Sequence, residues 1–599
     1  MTPLLRTFRP TVLLATLATA VLLASCTVPP TVTSAAPPSD TVTVRLIGFN
    51  DLHGNLEAAN LSLPWPDPAN PQRALRLAAG GVAYMAGTIQ ALRAGAQHSF
   101  VMSAGDHIGG TPLISALFLH ESTIEIMNRI GVDLAALGNH EFDAGKVELQ
   151  RIMAGGCATM PPESPMQSCV LARYEGARFP HLAANVVDDA GRPLVPPSVV
   201  KTVDGVKVGF IGAVTRITPS IVVPSGVAGL RFLDEADAIN AEAERLLQQG
   251  VRALVAVIHE GGRVGSDGPL EWNDAGCDNP RGAVFDIVKR LHPEIDAVFT
   301  GHTHQGYRCV LDGRPVMQAT AQGRGLSVAD LVIDRKTGDV DRARTTHRNV
   351  PVFNSASDAT LREAILKAEP EPWASALRAA KPDATIAARV AEYAAAAAPR
   401  AQRPVGRITA TFSRTATTDS AAGRLIADAQ WAATRAPERG GAQLALMNPG
   451  GVRSDLPCRG TPPCTVSYGD AFTMQPFGNS LVVMTLTGAQ FKTLLENQQR
   501  QGRESPTFLI PSASLRYTWV SSAPFGQRVR DITLNGQPLN PAADVRFAVN
   551  SFMAEGGDGF TTLREGRDRL GGELDIDALI AYLQTERSPD PVPRVTVVP

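Results

Sequence analysis

The chain has 599 residues, 44% of them hydrophobic, and a formal net charge of −2. That length exceeds what one hydrophobic core serves, so two or more domains are expected, and the apolar fraction excludes wholesale disorder. The near-neutral charge excludes a global basic field for a nucleic-acid polymer; a bound anion must be held by metals or by local arginines.

Arg6 and Arg9 precede an uncharged, mostly apolar run from Thr11 to Ala24. It is too short to span a bilayer comfortably and has the layout of an export signal. It ends in Leu23-Ala24-Ser25-Cys26, which resembles a bacterial lipobox. Residues 1–25 are therefore expected to be a lipoprotein signal peptide, with Cys26 lipidated at the mature N-terminus; the alternative is plain secretion with cleavage near Ser25. Thr27 rather than Asp after the cysteine favours the outer membrane, by resemblance to bacterial sorting patterns, in a periplasmic or cell-surface protein. Residues 26–40, rich in Pro, Ser, Thr and Ala, are expected to form a flexible tether. The other cysteines fall into local pairs, Cys157/Cys169, Cys277/Cys309 and Cys458/Cys464. An oxidising compartment and sequence proximity favour disulfides in that pairing.

Residues 41–345 alternate strand-like and helix-like runs, as an α/β or mixed domain does. Strands are expected over 42–49, 99–102, 134–137, 206–214, 253–258 and 295–299, and an amphipathic helix over 235–249. Polar clusters follow most of these strands: Asp51-Leu52-His53-Gly54-Asn55, Gly105-Asp106-His107, Gly138-Asn139-His140-Glu141-Phe142-Asp143, His259-Glu260-Gly261 and Gly301-His302-Thr303-His304. Ligands bind beyond the carboxyl ends of strands in open α/β sheets, so these clusters are expected to share one site. Oxygen and imidazole donors without cysteine suit divalent Zn, Mn, Co or Fe. A hydrolytic two-metal site needs a bridging carboxylate, for which Asp106 is the candidate, with Asp51, His53, Asn139, His259, His302 and His304 as the other donors. His140 is placed to donate to a phosphoryl oxygen, with Asp143 orienting it. His98, His107, His120, His181, His292 and His347 are assigned ordinary surface or hydrogen-bonding roles.

The ordered set Asp-x-His, Gly-Asp, Gly-Asn-His-Glu, His and Gly-His-Thr-His resembles the calcineurin-like metallophosphoesterases over residues 41–345. The resemblance implies a four-layer αββα domain, a pair of β-sheets flanked by helices. It further implies one metal held by Asp51, His53 and His304 and a second by Asn139, His259 and His302, with Asp106 shared.

Residues 346–404 lose strand signals; an alanine-rich helix is expected over 386–398, punctuated by Pro399 and Pro404, in a helical linker. A smaller α/β domain is expected over 405–588, followed by a peripheral tail, 589–599. In it, Asn448-Pro-Gly-Gly-Val-Arg453 sets an amide and a guanidinium at a glycine-rich strand end, where arginine can grip phosphate. Phe477 and Phe552 stand beside Gly, Pro or Asn rather than in apolar periodic runs, and Asp558 follows the second ring. These motifs resemble the C-terminal domain of the bacterial 5′-nucleotidase/UDP-sugar hydrolase family. The resemblance implies that Phe477 and Phe552 stack a base, Asp558 and Asn448 hold the ribose and Arg453 meets the phosphate. Family members often carry a further arginine and a glutamate before the helix that follows; here the stretch is Arg414-Thr-Ala-Thr-Thr-Asp-Ser-Ala-Ala-Gly423, in which Arg414 is the candidate. The expected function is removal of the 5′-phosphate from nucleoside monophosphates by in-line attack of water activated by two divalent ions. The alternatives are nucleoside diphosphate sugars or 2′,3′-cyclic nucleotides as substrates, or a non-catalytic nucleotide-binding surface lipoprotein. The expected partners are the nucleotide and, through the lipid, a membrane; no nucleic-acid polymer or protein partner is expected.

Overall fold

Thr41–Phe49 is buried at nearly every position from Val44 onward, so it needs a neighbour on each side and a layer on each face. It pairs antiparallel with Gly325–Asp334 and parallel with His98–Ser103. Thr346–Pro351, Leu134–Ala136 and His181–Leu182 complete a six-stranded sheet. A second six-stranded sheet runs in the order Gly306–Leu311, Arg314–Ala319, Ile295–Thr300, Ala253–His259, Val206–Val214, Ser198–Val203. Here, in a computed structural model, the residues described are 40–599 apart from 59–60, 68–69, 161–165, 223, 266–271, 274–275 and 500–504. The expected signal peptide, Cys26 and the tether up to residue 39 lie outside them.

The two sheets face each other across a shared core of Val44, Leu46, Phe100 and Met102 against Phe210, Val255, Val257 and Phe299. Each such buried side chain contributes roughly 1.5–3 kcal/mol. A Cβ at Gly48 would meet the Phe299 ring at 2.5 Å, so the sheets close tightly only because that residue has no side chain. Helices Val82–Ala94, Glu121–Ile130, Trp373–Ala379 and Ala384–Ala401 cover the outer face of the first sheet. Glu235–Gln248 and Ala283–Arg290 cover that of the second, completing four layers, αββα.

The expected linker departs from a helical connector in two ways. It opens with the strand Thr346–Pro351, antiparallel to Gly325–Asp334. The segment carries a buried polar residue, Asn349, whose Nδ2 donates to the carbonyls of Trp272, Tyr307 and Gln318, and this masks the strand pattern. Pro399 lies inside the helix Ala384–Ala401 rather than ending it; so near the C-terminus it disturbs only the last turn, and the Gln402 N–H still donates to the Ala398 carbonyl.

In the C-terminal half, a five-stranded sheet runs Ile510–Pro511, Leu444–Met447, Asp544–Asn550, Ser480–Thr487, Arg567–Leu574. Helix Ala421–Thr434 packs on it, capped by Ser420 Oγ, which accepts from the Gly423 N–H at 3.1 Å. Helix Gly488–Glu496 starts in a capping box of Thr487 and Gln490. The residues expected to be a peripheral tail instead supply the strand Val595–Val598, parallel to Leu515–Val520. Arg594 is buried there, its guanidinium donating to both Asp428 carboxylate oxygens at 2.8 and 2.7 Å. Four residues are too few to announce a strand by periodicity. Disulfides join Cys157 to Cys169, Cys277 to Cys309 and Cys458 to Cys464. Thr41–Pro599 forms one compact unit. Among the described residues no helix is long and apolar enough to cross a membrane.

Candidate active site

The polar clusters all lie at one edge of the two central sheets. Asp51 and His53 follow Thr41–Phe49, Asp106 follows the parallel neighbour His98–Ser103, and Asn139 follows Leu134–Ala136, parallel to that. From the other sheet, His259 ends Ala253–His259, and His302 and His304 follow its parallel neighbour Ile295–Thr300. The loops are stapled together: the Asp51 N–H donates to the Gly105 carbonyl and the His53 N–H to the Asp106 carbonyl, both at 3.0 Å. Asp51, His53, Asp106, His302 and His304 have φ of 49°, 44°, 53°, 71° and 56°. Left-handed backbone at a non-glycine residue costs roughly 1–3 kcal/mol and collects at functional sites. Gly105, itself at φ 86°, has no room for a side chain, since a Cβ would lie 2.7 Å from His259 Nδ1.

The side chains converge. Donor atoms of Asp51, His53 and His304 lie within 4.8 Å of one another, as do those of Asp106, His259 and His302, and those of His53, Asp106 and His140. Among the described residues, none of the histidines assigned ordinary roles joins such a group. His107 and His181 are instead paired in the interior, Nε2 to Nε2, at 3.2 Å. The hydrogen bonds fix which nitrogens face inward. His259 Nδ1 donates to the Ala104 carbonyl at 2.7 Å, turning Nε2 toward Asp106 Oδ2 at 3.0 Å and Asn139 Oδ1 at 3.2 Å. His53 Nδ1 likewise donates to the Gly109 carbonyl at 2.7 Å, leaving Nε2 facing His304 Nε2 at 3.1 Å. Ring lone pairs and oxygen acceptors meet head-on, which a cation between them would satisfy. A histidine anchored through its other nitrogen to a carbonyl is the usual support for a metal-binding imidazole. The donor set fits two divalent ions.

At His53, His302 and Asp106 the electrostatics agree with that fit. Burial, with Arg453 nearby, holds His53 well below the ordinary imidazole value, and burial also lowers His302; both are then neutral, the form that coordinates. Burial opposes ionisation of Asp106, but His259 and His140 outweigh it and hold the carboxyl well below its usual range. His259 is pulled down by burial yet raised overall to about 10 by Asp106, so coordination through Nε2 requires an ion to displace the proton held between them. Asp51 is fixed by the His302 N–H, at 3.1 and 3.0 Å to its two oxygens, and by Asn50 Nδ2 at 2.6 Å.

Beside this cluster, Asp143 Oδ2 accepts from His140 Nδ1 at 2.7 Å. Against the pull of burial, Asp143 and Asp106 raise the His140 pKa. From the C-terminal half, Asn448 Nδ2 donates to Asp558 Oδ2 at 2.7 Å, and Asn550 Nδ2 donates to Asn448 Oδ1 at 3.0 Å. The Arg453 guanidinium sits over the Phe477 ring, 5.6 Å from its centroid. The structure sets Arg414 behind Arg453, its Nη1 donating to the Arg453 carbonyl at 2.9 Å. A cavity of about 280 Å³ unites the halves: Asn139, His140, Asp143 and His302 line one side, and Asn448, Arg453, Phe477, Phe552 and Asp558 the other.

Some residues here escaped the reading of the sequence. Glu141 is buried, and its carboxylate accepts from the backbone N–H groups of Gly138 at 2.6 Å and of Asp106 and His107 at 2.9 Å, tying two donor loops together. Burial and the Asp106 charge push it up to about 7. Ile217, Ile221 and Val222 line the cavity from the segment after Val206–Val214. That is again a strand end, but a search for polar residues passes over it. Asn479 and Asn550 line it too.

Residues 44–306 match the family described as calcineurin-like phosphoesterase, and residues 402–565 the family described as 5′-nucleotidase, C-terminal domain. Among curated proteins, the chain is 29% identical over 558 residues to Endonuclease YhcR of Bacillus subtilis (strain 168), covering 92% of this chain and 40% of that protein. The chain thus spans less than half the length of that relative. It is 26% identical over 607 residues to a Probable 5′-nucleotidase of Treponema pallidum (strain Nichols), covering 91% of this chain and 92% of the other. Among solved structures, the 5′-nucleotidase precursor from Thermus thermophilus matches with a TM-score of 0.71 at 24% identity, over 93% of this chain and 99% of that one. At that identity the likeness speaks for the fold.

Proposed function

The chain belongs to the 5′-nucleotidase family, with a calcineurin-like phosphoesterase domain followed by a 5′-nucleotidase C-terminal domain, and we propose that it is a metal-dependent phosphohydrolase releasing phosphate from nucleoside 5′-monophosphates. The observation that carries this is one shared cavity, lined by His140 and the metal-competent Asn139 and His302 on one side and by Arg453, Phe477, Phe552 and Asp558 on the other. Asp51, His53 and His304 would hold one divalent ion, Asn139, His259 and His302 the other, and Asp106 both. Bound there, the ions would polarise the phosphoryl group and lower the pKa of a water.

The chain's own groups do the rest. His140, with Nδ1 bound to Asp143, presents Nε2 to a phosphoryl oxygen and stabilises the charge that builds as the ribose oxygen leaves in line. Arg453 takes phosphate oxygens. Phe477 and Phe552 flank the base, and Asp558, held by Asn448, accepts from ribose hydroxyls. Ile217 and Ile221 present hydrocarbon to the cavity, so the nucleoside end is gripped by shape more than by edge-specific hydrogen bonds. Export as a lipoprotein through Cys26, with the enzyme held at the outer membrane, accompanies this reading.

The test is phosphate release by the metal-loaded protein from AMP, UDP-glucose and 2′,3′-cyclic AMP. AMP is the expected substrate, and Asp106→Ala should abolish its hydrolysis while the fold persists. Inertness toward AMP, or full activity in Asp106→Ala, would reject the proposal.

A further inference from the structure

Phe477 lies on a turn of the C-terminal half, yet its ring runs nearly parallel to the imidazole of His140, with 5.8 Å between centroids and 15° between planes. That spacing and angle are those of an offset aromatic stack. Other side chains meet His140 from its own half. Its Nδ1 is bound to Asp143, and its ring meets the edge of His53 at 5.0 Å and 78°. One hydrogen bond at Nδ1 leaves an imidazole free to pivot about that contact, which swings Nε2 through the cavity. A flat ring alongside removes that freedom.

Arg453 ties Phe477 to the first half. Arg453 sits over the ring and packs against the loop at Gly110, where a Cβ would lie 3.0 Å from Arg453 Nε. At the adjoining Gly109 a Cβ would lie 2.6 Å from the His140 Cβ, so the same loop supports both ends of the stack.

We propose that Phe477 is a positioning residue for His140: the ring sets the orientation of the imidazole that faces the phosphoryl group, so hydrolysis depends on it even when the substrate carries no base. This rests on the phosphohydrolase reading given above.

The experiment compares metal-loaded wild type, Phe477→Leu and Phe477→Tyr on AMP and on 4-nitrophenyl phosphate, which has no nucleobase or ribose. Leucine keeps apolar bulk without a flat face, and tyrosine keeps the face. In Phe477→Leu, kcat for 4-nitrophenyl phosphate should fall about tenfold with KM unchanged, the scale of a small misorientation of a catalytic group. Phe477→Tyr should restore kcat. Phe477→Met, flexible and of similar bulk, should repeat the leucine result and guards against a leucine variant that fails to fold. Wild-type kcat on 4-nitrophenyl phosphate in the non-aromatic variants, with losses confined to KM for AMP, would overturn the proposal and leave the ring a base platform alone. A wild-type protein inert to both esters would instead bring down the phosphohydrolase reading, and this inference with it.

Discussion

Glu141→Ala probes how the metal loops are held. At pH 8, above the value of about 7 to which burial and Asp106 push it, Glu141 is ionised and accepts from the N–H groups of Gly138, Asp106 and His107. Truncation strands those donors in the interior. A hydrogen bond to a charged group is worth about 1.5–3 kcal/mol, and a buried donor left unpaired incurs its desolvation penalty. Relaxation of the loops, entry of water and relief of a buried charge that the raised pKa makes costly at pH 8 reduce the total, so the expected destabilisation is about 2 kcal/mol. Asp106 also loses the tie on its left-handed turn, so affinity for divalent ions should fall with stability. Glu141→Gln keeps one acceptor oxygen but sets an amide N–H against backbone donors, and should lie between wild type and alanine. Thermal melting and calorimetric titration with Mn²⁺ or Zn²⁺ read the two effects. An alanine variant that melts with the wild type and binds metal equally well would show that Glu141 does not organise these loops.

Asp143→Asn should move the alkaline limb of the pH–rate profile to lower pH. Asp143 helps raise the His140 pKa, so its removal lets the imidazolium lose its proton earlier on the way up; an unmoved limb would count against His140 acting in its charged form. Asp575 is 1% exposed, and burial raises it from 3.8 to about 7. With the folded value above the unfolded one, its contribution is fully present below pH 3.8 and is lost as pH rises through about 7. Above that the buried carboxylate costs about 4 kcal/mol. Asp575→Asn should therefore stabilise the protein at pH 8 and much less at pH 5; an equal gain in melting temperature at both would contradict the assignment.

The convergence of the polar strand ends was legible because the signal is local. A strand buried on both faces is a nearly continuous apolar run, and the first polar residue after it marks the sheet edge where Asp51, Asp106, Asn139, His259 and His302 gather. Glu141 sat in plain view within its motif, but its work is done on backbone N–H groups contributed partly by another loop, which no side-chain pattern encodes. Ile217 and Ile221 occupy the same kind of strand end, yet as apolar residues they resemble core. The strand Thr346–Pro351 hid because buried Asn349 breaks its apolar pattern, and Val595–Val598 because it is too short to show a period. The stack of Phe477 on His140 depends on how the two halves of the chain pack, which composition and spacing do not carry.

The most direct test of the account is anomalous diffraction from crystals soaked in Mn²⁺ or Zn²⁺. Two peaks about 3.5–4 Å apart are expected, one touched by Asp51, His53 and His304, the other by Asn139, His259 and His302, with Asp106 between them. A single peak, or peaks away from Asp106, would contradict it.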